Sequence, residues 1–100
     1  MKFQAISIKD VEHYLDNKYT ILIDLRTKEE YNEYHLEGAI NIPFEQLEKY
    51  KSKLIKENTY ILYCQRGSSS LLAAKQLSKE GYQIYTVTGG IQAWMEHDLK

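Results

Sequence analysis

The sequence predicts an α/β fold, a five-stranded and mostly parallel sheet with helices on both faces. Two observations carry the prediction. Short runs rich in β-branched and aliphatic residues recur about five times along the chain, near 3–6, 19–25, 39–42, 60–63 and 83–87. Between them lie segments whose apolar residues repeat at helical spacing. Strands that alternate with helices join as parallel neighbours, and the crossover helices then cover the sheet.

Taken in order, residues 3–6 form a short first strand, and Ser7 with Asp10 opens a helix in a Ser-x-x-Asp pattern. Ile8, Val11, Tyr14 and Leu15 give that helix one apolar face. After the polar turn at 16–18, residues 19–25 read as a strand buried on both faces. Thr27 and Glu30 make a capping-box pattern for a short helix over 28–34. Gly38 breaks the chain, residues 39–42 extend briefly, and Pro43 stops them. Phe44, Leu47, Tyr50 and Leu54 predict one helix over 44–55. A strand over 60–63 runs into Cys64, and a helix over 71–79 follows with Leu71, Leu72, Ala74 and Leu77 on its buried side. Gly81 ends that helix, 83–87 is the fifth strand, 88–90 a turn, and 91–97 the closing helix.

Composition narrows the function. A length of 100 residues, 43% of them hydrophobic and 27% charged, suits one globular domain spanning 1–100. A net charge of −1 gives no basic footprint for nucleic acid. No apolar run reaches the roughly 20 residues of a membrane helix, and the N-terminus lacks a secretory core. The lone cysteine forms no internal disulfide and no cysteine-built metal site, which makes a cytoplasmic protein the expectation. The segment with Glu29, Glu30, Glu33 and Glu37, and that with Lys49, Lys51, Lys53 and Lys56, read as solvated helix faces, and the nine tyrosines as core and boundary residues.

The chemistry concentrates in Cys64-Gln65-Arg66-Gly67-Ser68-Ser69-Ser70. A lone cysteine is commonly an inert buried residue. This one stands at the carboxyl end of a strand and just before a helix N-terminus, whose partial positive charge favours the reactive thiolate. Gly67 lets the loop curl, its successive N–H groups form an anion nest, and a serine is available to cap the helix. Such a bowl suits attack on phosphorus, arsenic or an outer sulfur atom. Cysteine-dependent phosphatases need Cys-x5-Arg, and Ser70 stands where that arginine belongs.

Four segments of the chain together resemble the single-domain rhodaneses, thiosulfate or persulfide sulfurtransferases. Ile23-Asp24-Leu25-Arg26 is similar to the family's Asp-x-Arg strand end. Glu30-Tyr31 and the run from His35-Leu36-Glu37-Gly38 to Ile42-Pro43 are similar to its upstream signature. Cys64 to Ser70 resembles its loop, Cys-x-x-Gly-x-[Arg/Ser/Thr]-[Ser/Ala], and Gly89-Gly90-Ile91-Gln92-Ala93-Trp94 its closing Gly-Gly-x-x-x-Trp. Many members carry arginine two residues after the loop glycine; here that position is Ser69, and an arginine stands at 66.

The resemblance implies a rhodanese-like fold and a sulfurtransferase acting through a persulfide on Cys64, with Gln65, Arg66, Gly67, Ser68, Ser69 and Ser70 binding the substrate. The donor would be thiosulfate or a persulfide; the acceptor, cyanide or a thiol such as glutathione or thioredoxin. No metal or organic cofactor is implied. A non-enzymatic sulfur carrier or partner-binding module is the alternative, and a phosphatase or arsenate reductase a more distant one. Asp24, Arg26 and His35 are expected to support the site structurally, His13 and His97 to lie on the surface, and Trp94 to pack in the core.

Overall fold

The computed structural model of the chain describes residues 3–98, with side chains to residue 96. Along it run β1 (Gln4–Ile6), α1 (Val11–Leu15), β2 (Thr20–Asp24), α2 (Lys28–Glu33) and β3 (Ile40–Asn41). There follow α3 (Leu47–Tyr50), β4 (Thr59–Tyr63), α4 (Ser68–Lys79), β5 (Gln83–Val87) and α5 (Gly90–Asp98). The strands form one five-stranded sheet in the order β1-β5-β4-β2-β3, and every neighbouring pair is parallel.

That order fixes where a ligand binds. From β2 the chain goes outward to the edge strand β3; from β4 it goes the other way, to β5. The connections part between β2 and β4, and a crevice opens at the carboxyl ends of strands where they do so. Register sets Asp24 of β2 opposite Tyr63 of β4 at that point. The segments Leu25-Arg26 and Cys64-Gln65 therefore leave the sheet side by side.

Alternation along the strands builds a core on each face. Leu22, Ile61 and Tyr63 pack with Val11, Leu36 and Ile91 on one side. Ile23, Tyr60, Leu62 and Cys64 pack with Leu47, Ala73, Ala74 and Leu77 on the other. Each buried aliphatic side chain adds about 1.5–3 kcal/mol. The helices thus lie on both sides of the sheet, as the patterning predicts.

Several local expectations need correction. Residues 44–55 are not one helix: a 3-10 turn at Phe44–Gln46, the single-turn α3 and a second 3-10 turn at Lys51–Lys53 follow one another. The apolar spacing there belongs to a chain that hugs the sheet without settling into continuous i→i−4 bonding. Helix α4 starts at Ser68, three residues before the expected 71, and its buried side is Ser70, Ala73, Ala74, Leu77 and Ser78. Leu71 and Leu72 face outward, 40% and 60% exposed. The two serines belong to the inward stripe because the loop sets the helix's rotation, which hydrophobicity alone misassigns. Ser7 places its hydroxyl on the Asp10 side chain (3.3 Å) and caps no amide. The capping box of Thr27 and Glu30 forms as expected. Of the tyrosines, Tyr60 and Tyr63 are core residues, whereas Tyr19 and Tyr34 are exposed. Lys51 does more than face solvent, reaching both Glu48 and Glu80 at 2.8 Å.

Candidate active site

Strand β4 delivers Cys64 into the crevice with only 5% of its surface exposed. The next residues turn back sharply, and Gly67 is the N-cap of α4 with φ 106°. An L-residue adopts that left-handed torsion only at a cost. The turn aims two backbone N–H groups at the sulfur: Gly67 donates to Sγ at 3.0 Å and Ser70 at 3.4 Å. Ser70 is the third residue of α4, so Cys64 accepts the amide that a capping side chain ordinarily takes. No serine caps this helix, contrary to expectation. The Ser70 hydroxyl instead donates to the Gly67 carbonyl at 3.2 Å and accepts from Thr86 at 2.8 Å, while lying 3.7 Å from Sγ.

The loop is held from behind by the start of α5. Ile91 N–H donates to the Cys64 carbonyl at 2.9 Å, and Gln92 N–H to that of Gln65 at 3.1 Å. Gly90 makes this approach possible. A Cβ at that position would lie 2.3 Å from the Cys64 carbonyl oxygen and 2.7 Å from Gln65. Reading the two glycines as a turn captures only half of their role.

Beside the loop, at the end of β2, lies a closed polar network. The Asp24 carboxylate, wholly buried, accepts from the Arg26 amide at 2.8 Å, from Arg26 Nη2 at 2.9 Å and from the Tyr63 hydroxyl at 2.7 Å. Arg26 also donates through Nη2 to the Tyr34 carbonyl and through Nη1 to Gln65 Oε1, at 3.4 Å. The Tyr63 hydroxyl accepts from Leu36 N–H at 3.1 Å, and the Asn41 amide donates to the carbonyls of Asp24 and Arg26. Burial, with the bond to Asp24 second, pushes the Tyr63 phenol far above the usual tyrosine range. Burial pulls the Arg26 guanidinium down, but the Asp24 carboxylate outweighs it and leaves its pKa raised.

The crevice opens to solvent beside Cys64, Gln65 and Ser69, and its rim holds Arg26, Phe44 and Glu45. The sequence-predicted loop residues therefore divide. Cys64, Gln65 and Ser69 line the opening. Gly67 shapes it from below, and Ser70 is wholly buried. Ser68 and Arg66 are exposed and lie outside the lining. His35 places Nδ1 2.8 Å from the Tyr31 carbonyl and stacks on the Tyr31 ring at 3.8 Å. Trp94 is half-buried and packs against the core beside Tyr34. His13 is exposed; the His97 side chain is outside the described residues. Sequence reasoning missed Thr86, Glu30 and Glu45 as neighbours of the loop, and Tyr63 and Asn41 as partners of the Asp24–Arg26 segment. Only strand register and packing bring them there.

Residues 7–97 match the model of the rhodanese-like domain. The chain belongs to the rhodanese-like family. Among its relatives is a thiosulfate sulfurtransferase, GlpE, of Coxiella burnetii, 28% identical over 97% of this chain and 92% of that one. A probable molybdopterin-synthase adenylyltransferase of Porphyra purpurea is 33% identical over 91% of this chain, a match that takes up 25% of its own length. The crystal structure of a rhodanese-related protein from Thermoplasma volcanium superposes with a TM-score of 0.86 at 29% identity, covering 95% of this chain and 93% of that one. The rhodanese-like frame thus occurs both as a chain of about this size and as part of a larger protein. Among the described residues, no helix is long and apolar enough to cross a membrane, and no group of three or more His, Cys, Asp or Glu side chains is placed to hold a metal ion.

Proposed function

We propose that the chain is a sulfurtransferase that carries sulfane sulfur as a persulfide on Cys64. The observation that carries this reading is the pair of amides, from Gly67 and Ser70, aimed at Sγ at the N-terminus of α4. They stabilise negative charge on sulfur, whether on the thiolate or on a persulfide. In the first step the Cys64 thiolate attacks the outer sulfur of the donor. The new S–S bond forms on Cys64 as the donor's S–S bond breaks, and the electron pair leaves with sulfite or with a thiolate. In the second, an external nucleophile such as cyanide or a cellular thiol attacks the outer sulfur and frees the Cys64 thiolate. Cys64 is the only cysteine of the chain, so the acceptor comes from outside it. The similarity to a thiosulfate sulfurtransferase supports the same reading.

Phosphoryl transfer fits less well. The position of the phosphatase arginine is Ser70, wholly buried and with its hydroxyl already bonded to Gly67 and Thr86. Intact-mass measurement after incubation with thiosulfate or with glutathione persulfide is the test. The expected result is a gain of one sulfur atom, reversed by cyanide with release of thiocyanate and abolished in Cys64→Ala. A chain that gains no sulfur from either donor is not a sulfurtransferase.

A further inference from the structure

The charge at the mouth of the crevice is set by a few side chains. Among the described residues that line the opening, Arg26 is the only cation. Its nitrogens are already committed to Asp24, Gln65 and the Tyr34 carbonyl, and the buried Asp24 carboxylate offsets its charge. Glu30 and Glu45 line the same opening, and Glu30 is held in place by the capping box with Thr27. The mouth therefore carries surplus negative charge. Phe44, 38% exposed, and Pro43 supply an apolar stretch beside it. Arg66, the loop's own arginine, is exposed and contributes no lining surface.

Resting on the sulfurtransferase reading, we infer that Glu30 and Glu45 are specificity-determining residues that favour a persulfide on a neutral or cationic organic thiol over the thiosulfate dianion. In-line attack by Cys64 Sγ puts the leaving group on the far side of the transferred sulfur, toward the mouth. With thiosulfate that group is sulfite, and its oxygens develop charge against two carboxylates. With a persulfide it is the organic thiolate, whose carbon chain lies along Phe44 and Pro43. The Gly67 and Ser70 amides donate to Sγ with either donor and so do not discriminate between them. The steps balance: thiolate plus R–S–SH gives Cys64–S–SH and R–S⁻, and thiolate plus thiosulfate gives Cys64–S–S⁻ and sulfite.

The test measures the rate of sulfur uptake on Cys64 by intact mass, from thiosulfate and from cysteamine persulfide, whose carrier bears an ammonium group. The proteins are the wild type, Glu30→Gln, Glu45→Gln, the double variant and Arg66→Ala; glutamine at 30 retains the capping-box geometry, and thermal melts confirm the fold. The wild type is expected to load faster from cysteamine persulfide. The double variant is expected to gain about tenfold or more with thiosulfate, a change of about 1.4 kcal/mol in the barrier, and to slow with cysteamine persulfide. Raising ionic strength from about 0.01 to 1 M shortens the Debye length from roughly 30 to 3 Å. It should accelerate thiosulfate loading in the wild type and leave the double variant nearly flat. Thiosulfate loading that stays within about twofold in the double variant, or that falls more than about tenfold in Arg66→Ala, overturns the inference while leaving sulfur transfer intact. Loading from neither donor removes the sulfurtransferase reading itself.

Discussion

At the end of β2, the Asp24 carboxylate is closed on every side by Arg26 and Tyr63. One strand over, at the end of β4, Cys64 Sγ meets the amides of Gly67 and Ser70 and then the opening of the crevice. Both are anionic or potentially anionic groups at the same edge of the same sheet. The first is paired in full and excluded from solvent, so it holds two loops in fixed relation. The second keeps one side open, and its donors come from a backbone that cannot follow a substrate away. A rigid neighbour is what permits a reactive group to be preorganised without being consumed by its own contacts.

The contrast can be broken from either side, most severely by Cys64→Ala, which is expected to abolish sulfur uptake in the mass assay while leaving the fold intact. Asp24→Asn removes the charge that pairs with a buried guanidinium. Such losses cost about 3–5 kcal/mol, to be seen as a fall in the urea midpoint together with slower sulfur loading. Gly90→Ala is expected to cost about 3 kcal/mol or more, from a left-handed torsion and from overlap with the Cys64 carbonyl. Its signature is a loss of Cys64 reactivity toward an alkylating reagent larger than the loss of stability explains.

Tyr63→Phe leaves Leu36 N–H and one face of Asp24 unpaired, at about 1–3 kcal/mol. It also has a pH signature. Folding raises the Tyr63 pKa, so above roughly pH 10 the unfolded phenol ionises while the folded one keeps its proton. The stability this contributes is present below that pH and is lost as pH rises through the raised value. The gap between wild type and Tyr63→Phe should therefore narrow above about pH 10, by up to about 1.4 kcal/mol per pH unit. A gap that stays constant in denaturation experiments from pH 8 to 11 would contradict it. Thr86→Val removes one donor to Ser70 and is expected to cost about 1 kcal/mol, with sulfur uptake reduced less than in any variant above.

Much of the frame was legible in one dimension. Strand runs and helical spacings state the α/β alternation directly, and the Thr27–Glu30 pair marks a helix start that forms as read. The Cys64 loop announces itself through residue types at fixed spacing: a nucleophile, a glycine that must take a positive φ, and the absence of an arginine six residues on. Rotation and continuity of helices were less legible. Leu71 and Leu72 attract a hydrophobicity-based reading, yet they face outward because the turn at Gly67 sets the phase of α4 and turns Ser70 inward.

The sequence by itself determined a thiol at a strand end before a helix, because local backbone preference and side-chain chemistry are properties of neighbours in the chain. Tertiary structure decided what surrounds that thiol. Register across β2 and β4 brings Tyr63 to Asp24, close approach at Gly90 seats α5 behind the loop, and packing of the 44–46 turn puts Phe44 and Glu45 on the rim. These contacts join residues distant in sequence, and no local pattern encodes them. Arg66 illustrates the division: by composition it looks like the anion's partner, and by position it is exposed and outside the lining of the crevice, which holds Glu30 and Glu45.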